Sequence, residues 1–182
     1  RMNDYLIGLK TFHQVADYIT INISSPNTEN LRNFHEETKL QELLKSIIKE
    51  KNNLNSKVPI AVKISPDIDE NQINLISEIL LENEIKAIII SNTSESSRDL
   101  LSDIQKHQKG GLSGKPIEKK SNLLISKFYK LLKGKIKIIG VGGVDSGQTA
   151  YDKFLAGADF VQLYTGMVFK GPNIVSKINN EL

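Results

Sequence analysis

Ser24, Ser25, Asn27 and Thr28 crowd around Pro26 directly after the β-branched run Ile21-Asn22-Ile23. A strand that empties into hydroxyl and amide side chains presents polar groups at its carboxyl end, which is where α/β folds place ligands. The same residue types also make an ordinary turn. Repetition of the pattern shifts the balance toward chemistry. Lys63 lies inside Ile60-Ala61-Val62-Lys63-Ile64, where its ammonium must either meet an anion or reach along its stem to water. Asn92 and Thr93 close a third apolar run with one amide and one hydroxyl, suited to reading a planar polar ligand by hydrogen bonds.

Two glycine-rich segments follow, Gly110-Gly111-Leu112-Ser113-Gly114-Lys115-Pro116 and Ile139-Gly140-Val141-Gly142-Gly143-Val144-Asp145-Ser146-Gly147. Glycine lets a backbone approach a phosphate, and residues 145–147 open a helical pattern whose amide end favours anions. The second segment is not a dinucleotide fingerprint. Asp145 stands where the third glycine is required, and no acid ends a neighbouring strand at the needed distance. Tyr164-Thr165-Gly166 ends the next run, so the last two strands offer small residues and amides at one rim, where barrels commonly hold phosphate.

The elements that must position these groups alternate. Strand patterns fall at residues 20–25, 60–65, 87–92, 138–143 and 160–164, each a short β-rich run ended by polar residues or glycine. Between them lie apolar stripes of helical period: Leu40, Leu43, Leu44, Ile47 and Ile48; Ile73, Ile76 and Leu80, with Asp69 and Gln72 placed as a capping pair; Leu124, Phe128, Leu131 and Leu132, closed by Gly134. Ala150 and Phe154, then Ile174, Val175 and Ile178, mark two more. Strict strand-helix alternation predicts an α/β fold with parallel strands, and polar carboxyl ends on every strand favour a barrel over a doubly wound sheet. Residues 49–57 read as a solvated Lys/Asn-rich loop, and residues 91–111 as a long loop of the kind that forms lids.

Composition narrows the function classes. The chain of 182 residues is 39% hydrophobic and 25% charged, which fits one domain of a globular protein but falls short of the roughly 200 to 250 residues of a closed eight-stranded barrel. A net charge of +3, spread over lysines with acids nearby and no aromatic-studded basic stripe, argues against a nucleic-acid partner. Cysteine is absent, so disulfides, thiolate metal sites and a cysteine nucleophile are excluded. His13, His35 and His107 are too scattered for a zinc site, each reads as a surface or loop residue, and no metal is expected. No apolar run approaches the roughly 18 residues of a membrane span, and Arg1-Met2-Asn3-Asp4 is not a secretory signal.

Taken in order, Asn22-Ile23-Ser24-Ser25-Pro26-Asn27-Thr28, Val62-Lys63-Ile64-Ser65-Pro66-Asp67, Ser91-Asn92-Thr93, Gly110-Gly111-Leu112-Ser113-Gly114-Lys115-Pro116, Val141-Gly142-Gly143-Val144 and Gln162-Leu163-Tyr164-Thr165-Gly166 resemble the carboxyl-terminal part of a class 2, quinone-linked dihydroorotate dehydrogenase. In class 1 enzymes the position of Ser25 is a cysteine, so Ser25 selects the class. The resemblance implies that residues 1–182 are the carboxyl-terminal portion of a single FMN-binding (β/α)8 barrel, roughly its last five βα units. It further implies oxidation of dihydroorotate to orotate in pyrimidine (UMP) synthesis, with a quinone as electron acceptor.

By that likeness Ser25 is the catalytic base toward the substrate's C5 proton. A serine hydroxyl is a poor base alone, so it must relay the proton while held from bulk solvent. Asn22, Asn27, Asn92 and Thr93 correspond to orotate-binding positions, and Asn22 also touches the flavin. Lys63, Ser91, Gly114, Gly143, Tyr164 and Thr165 correspond to FMN contacts, the last three around the phosphate. Lys63 would there favour the electron-rich reduced ring.

Departures from the family pattern are few. Glu29-Asn30 replaces the usual Pro-Gly, and Ser91 and Ser94 stand where threonines are commoner. The family's first strands and its membrane-associating amino-terminal helices have no counterpart in residues 1–182. The implied location is peripheral, on the cytoplasmic face of the inner membrane or on the mitochondrial inner membrane of a eukaryote, with membrane contact only through that amino-terminal region; the 182-residue piece is expected to be soluble and inactive alone. Two rival readings are a phosphate-binding barrel isomerase or aldolase without flavin, and a non-catalytic barrel piece.

Overall fold

The computed structural model describes residues 2–28, 31–96, 98 and 101–182; the Glu29-Asn30 departure lies outside them. Five short strands, β1 (Ile19–Asn22), β2 (Ile60–Lys63), β3 (Ala87–Ile90), β4 (Lys137–Val141) and β5 (Phe160–Gln162), form one sheet in sequence order, every neighbour parallel. Each return runs through helix: α2 (Glu37–Asn53), α3 (Glu70–Glu82), α4 (Glu118–Leu132) and α5 (Gly147–Leu155). The alternation expected from sequence is therefore present. All carboxyl ends share one rim.

Side-chain parity divides the sheet into two faces. Ile60, Val62, Ile64, Ile88, Ile90 and Ile138 pack with Leu40, Leu43, Leu44, Ile47, Ile76 and Phe128 of the helices in the main core. The opposite face holds a smaller cluster of Ala61, Ile89 and Ile139, with Ala87 and Val141 against it. Asn22, Lys63, Ile89, Ile139 and Phe160 are successive register partners across the five strands, so they form one row on this second face. One end of the row is polar.

Local chemistry explains the helix boundaries. Asp69 accepts from Gln72 N at 2.8 Å and Gln72 accepts from Asp69 N at 3.1 Å, a reciprocal cap worth about 1 kcal/mol. Lys133 and Gly134 both take left-handed conformations after α4, which stops it. Residues 49–57 differ from the expected loop: α2 continues through Asn53, because Leu54 and Ile48 still pack against the core and lysine is a good helix former. Leu131 and Val175 are partly exposed, 37% and 42%, while Ile125 and Leu132 complete the buried stripe of α4. Two helices carry no stripe long enough to read from sequence, α1 (Met2–Phe12) and the short α6 (Thr165–Lys170); α7 (Ile174–Glu181) closes the described order.

Candidate active site

At the carboxyl rim a cavity of about 300 Å³ opens between β2, β3, β4 and the loop after β5, with Lys63, Asn92, Thr93, Gly114, Gly143 and Thr165 among its lining. Ser91 and Tyr164 line it too. Sequence thus brings seven of the expected cofactor and substrate positions around the same space as Lys63. A second hollow of about 310 Å³ shares Gly114, Gly143 and Thr165 and runs on to Lys115 and Lys170. The two together form one trough along the rim, its polar groups set among apolar walls such as Ile117, Val141 and Leu163.

Asn22, Ser25 and Asn27 sit beside this trough, not in the lining of the cavity. Asn22 is the register neighbour of Lys63, and its Oδ1 accepts from Ser24 N at 3.2 Å and Ser24 Oγ at 2.9 Å. Ser24 Oγ in turn accepts from Asn92 Nδ2 at 3.1 Å. Asn22, Ser24 and Asn92 are therefore one hydrogen-bonded chain across β1 to β3. Asn92 Oδ1 accepts from Thr93 N at 2.8 Å, which fixes the amide so that its remaining capacity is directional. Ser25 Oγ accepts from Asn27 N and from Thr28 Oγ1, each at 3.3 Å. Donors onto a hydroxyl oxygen stabilise negative charge there and leave its own proton free to be passed on.

Lys63 is half-buried, and burial pushes its ammonium below the ordinary lysine value. Among the described residues no carboxylate pairs with it. A cation lodged in a cavity without a protein anion is an unfilled electrostatic demand. An anionic or electron-rich ligand answers it.

The glycine cradle is built by close approach. Gly114 and Gly143 have φ of +73° and +79°, and a Cβ on Gly143 would run into Glu118 of α4. Gly111 packs so tightly on the Thr93 side chain that any Cβ would occupy its hydroxyl position; that loop sets the Thr93 rotamer. Thr165 donates to Ser113 Oγ at 2.9 Å, tying the strand-end after β5 to the loop before α4. The bare backbone at Gly142-Gly143 suits a phosphate, and the trough beside Lys63 suits a planar ring. The residues present therefore fit a flavin mononucleotide.

The amide end of α5 departs from expectation. Ser146 and Thr149 cap it reciprocally, and Gly147 N donates to the Glu181 carboxylate of α7 at 2.6 Å. It is already satisfied within the chain. His35 is a second correction. It is 2% exposed, in the short 3-10 turn Leu31–His35, with Nδ1 against Arg32 O at 2.8 Å and Nε2 accepting from Ser65 N at 3.2 Å. Acceptance at Nε2 requires the proton on Nδ1.

Sequence reasoning missed the charged scaffold beneath the rim. Asp67 collects five donors and Arg32 spans two loops, and neither was singled out from sequence. Long-range pairing of this kind leaves no periodic signal. Lys153, fully buried beneath β4, was also missed; it donates to Ser121 Oγ at 3.2 Å and Asn122 Oδ1 at 2.6 Å, and burial lowers its pKa to about 8 against the pull of Glu118 and Asp152.

Comparison with known proteins matches this geometry. Residues 1–182 match the family described as Dihydroorotate dehydrogenase. A protein of Chelativorans sp. named dihydroorotate dehydrogenase (quinone) is 44% identical over 186 aligned residues, covering 100% of this chain and 51% of its own. One of the same name from Pasteurella multocida is 42% identical, over 98% of this chain and 54% of its own. The crystal structure of ligand-free DHODH from Eimeria tenella superposes with a TM-score of 0.95 at 31% identity, over 99% of this chain and 54% of that one. The chain spans about half the length of the relatives it matches. The parallel sheet is accordingly part of a (β/α)8 barrel.

Proposed function

The chain belongs to the dihydroorotate dehydrogenase family, and from that premise we propose that it carries most of the catalytic rim of an FMN-dependent, quinone-reducing dihydroorotate dehydrogenase of pyrimidine (UMP) synthesis. The observation that carries the reading is the meeting of an unpaired ammonium, Lys63, with the Asn92-Thr93 pair and the Gly114 and Gly143 cradle around one cavity. In this reading residues 1–182 are the carboxyl-terminal portion of the barrel. Membrane contact, needed to reach a lipid-soluble quinone, belongs to another part of the protein; no described helix is long and apolar enough to cross a membrane.

Asn22, Asn27, Asn92 and Thr93 bind and orient the pyrimidinedione, whose alternating donors and acceptors match amides and a hydroxyl. Ser25 takes the C5 proton and passes it on; the donors from Asn27 N and Thr28 to its oxygen favour the deprotonated state that this transfer passes through. Lys63, Ser91, Gly114 and Asn22 contact the flavin, and Gly143, Tyr164 and Thr165 lie around its phosphate. When bound, FMN supplies the acceptor for the hydride that leaves C6 and delivers the electrons to quinone.

The test is Ser25→Ala in the flavin-loaded complete polypeptide. Dihydroorotate-dependent bleaching of flavin absorbance is expected to slow by at least about 100-fold, the lower end of general-base contributions, with flavin content unchanged. Bleaching at the unsubstituted rate removes Ser25 from the mechanism, and a complete protein that binds no flavin removes the whole reading in favour of a phosphate-binding isomerase or aldolase.

A further inference from the structure

Beneath the rim, one carboxylate gathers the loops that carry the proposed substrate contacts. Asp67 follows β2. Its Oδ1 accepts from Ser94 Oγ at 2.6 Å, from Ser96 Oγ at 2.8 Å and from Lys120 Nζ of α4. Its Oδ2 accepts from Glu95 N at 2.8 Å and from Arg32 Nη1 at 3.3 Å. Asp67 N itself donates to Ser65 Oγ at 3.1 Å, so the backbone that carries the carboxylate is pinned as well.

Arg32 carries the constraint to the other loop. Its guanidinium donates through Nε to Ser24 O at 3.4 Å and through Nη2 to Thr93 O at 3.2 Å, while Nη1 also meets Glu95 at 2.9 Å. Ser24 O belongs to the peptide that leads into Ser25, and Thr93 O to a residue lining the cavity. One rigid fork thus measures the gap between the hydroxyl-bearing loop after β1 and the amide-bearing loop after β3. A planar guanidinium does this where an ammonium cannot, because its donors point in fixed directions.

We propose that Asp67 is a positioning residue which, through Arg32, sets the spacing between Ser25 and the Asn92-Thr93 pair across the bound substrate. This rests on the function proposed above. Burial alone would push the Asp67 carboxyl up, but the bonds from Lys120, Ser94, Glu95 N and Ser96 outweigh it and hold the group well below the usual carboxylate range. The carboxylate is therefore held in its charged form, the form that Lys120 and Arg32 pair with.

The experiment compares Asp67→Asn and Asp67→Glu with the unsubstituted complete polypeptide. Asp67→Asn keeps the shape and removes the charge that holds Lys120 and Arg32. Anaerobic flavin reduction by dihydroorotate is expected to fall about 10-fold or more, while reoxidation of the flavin by a soluble quinone analogue and the flavin content stay unchanged, because the cradle of Gly114, Gly143 and Thr165 does not touch the clamp. Asp67→Glu, retaining the charge, is expected to recover part of the loss. Equal slowing of both half-reactions, or no slowing of either, overturns the proposal.

Amide hydrogen exchange gives a second measurement that needs no substrate. In Asp67→Asn, exchange at residues 23–28 and 91–96 is expected to accelerate together by about 10-fold, with residues 140–144 unaffected; acceleration in only one loop overturns the coupling. If dihydroorotate fails to bleach the unsubstituted protein, the functional reading fails while this exchange result still decides the role of Asp67.

Discussion

At Lys63 the protein keeps an amine in a place that disfavours its charge. Burial lowers its pKa, so the folded state binds a proton less readily than the unfolded chain, and this residue costs stability at neutral pH; the cost fades as pH rises through the shifted value toward the ordinary lysine range. A cost with no compensating anion among the described residues is retained for a ligand. Lys63→Met is therefore expected to act in opposite directions on two measurements. The flavin-free protein should melt higher, by about 2–4 °C for each kcal/mol regained, while FMN affinity measured by fluorescence quenching should drop on the order of tenfold, about 1.4 kcal/mol. A variant that melts lower would show that the ammonium supports the fold and not the ligand.

At the scale of elements, the loops matter more than the strands they extend. The turn Leu31–His35 is fastened to β2 by His35, whose Nε2 accepts from Ser65 N, and that turn carries Arg32. Protonation would place a donor against the Ser65 amide and a charge beside Arg32, which is why burial first, and Arg32 second, lower the His35 pKa despite its bond to Arg32 O. The sign follows directly. The unfolded histidine binds protons below its ordinary value of about 6.5, the folded one resists, so stability falls as pH drops from that value toward the shifted one. Thermal melts between pH 7 and 5 should show this acid loss, and His35→Gln should flatten it; an unchanged slope would remove His35 as its source.

Legibility from sequence also divides by element. The five strands and the stripes of α2 to α5 were readable because period 2 or 3.6 is written in neighbouring residues, and Asp69 with Gln72 announced the start of α3. The rim was readable wherever several small or polar residues followed a strand, as at Asn92-Thr93 and Gly142-Gly143. What was not readable depends on residues far apart in the chain: the buried state of His35, set by Ser65 thirty residues on; the filling of the α5 amide end by Glu181; and the Asp67 clamp, whose partners lie on three separate segments. Lysine-rich residues 49–53 misled because charge reads as loop, although lysine stems leave helix geometry untouched.

For the whole molecule, the decisive feature is the pair of sheet edges, because between them the second face is already buried at Ala61, Ile89 and Ile139. Among the described residues β1 and β5 each have a neighbour on one side only, and the row that begins at Asn22 and Lys63 ends at Phe160, which is 58% exposed although it is the register partner of Ile139. Tyr164 beyond it is 80% exposed and Phe169 83%. Unpaired strand edges beside apolar side chains recruit further strands, and the relatives of this chain are about twice its length. Residues 1–182 expressed alone are therefore expected to self-associate and to retain FMN poorly. Size-exclusion chromatography with light scattering over a range of protein concentrations should show mass rising with concentration. Co-expression with the amino-terminal half of a quinone-linked relative should suppress that rise and restore flavin absorbance to the eluted peak, because pairing at β1 and β5 removes the edges and covers Phe160 at once. A monodisperse 182-residue monomer that keeps its flavin through the column would mean that the edges at β1 and β5 are satisfied without further strands.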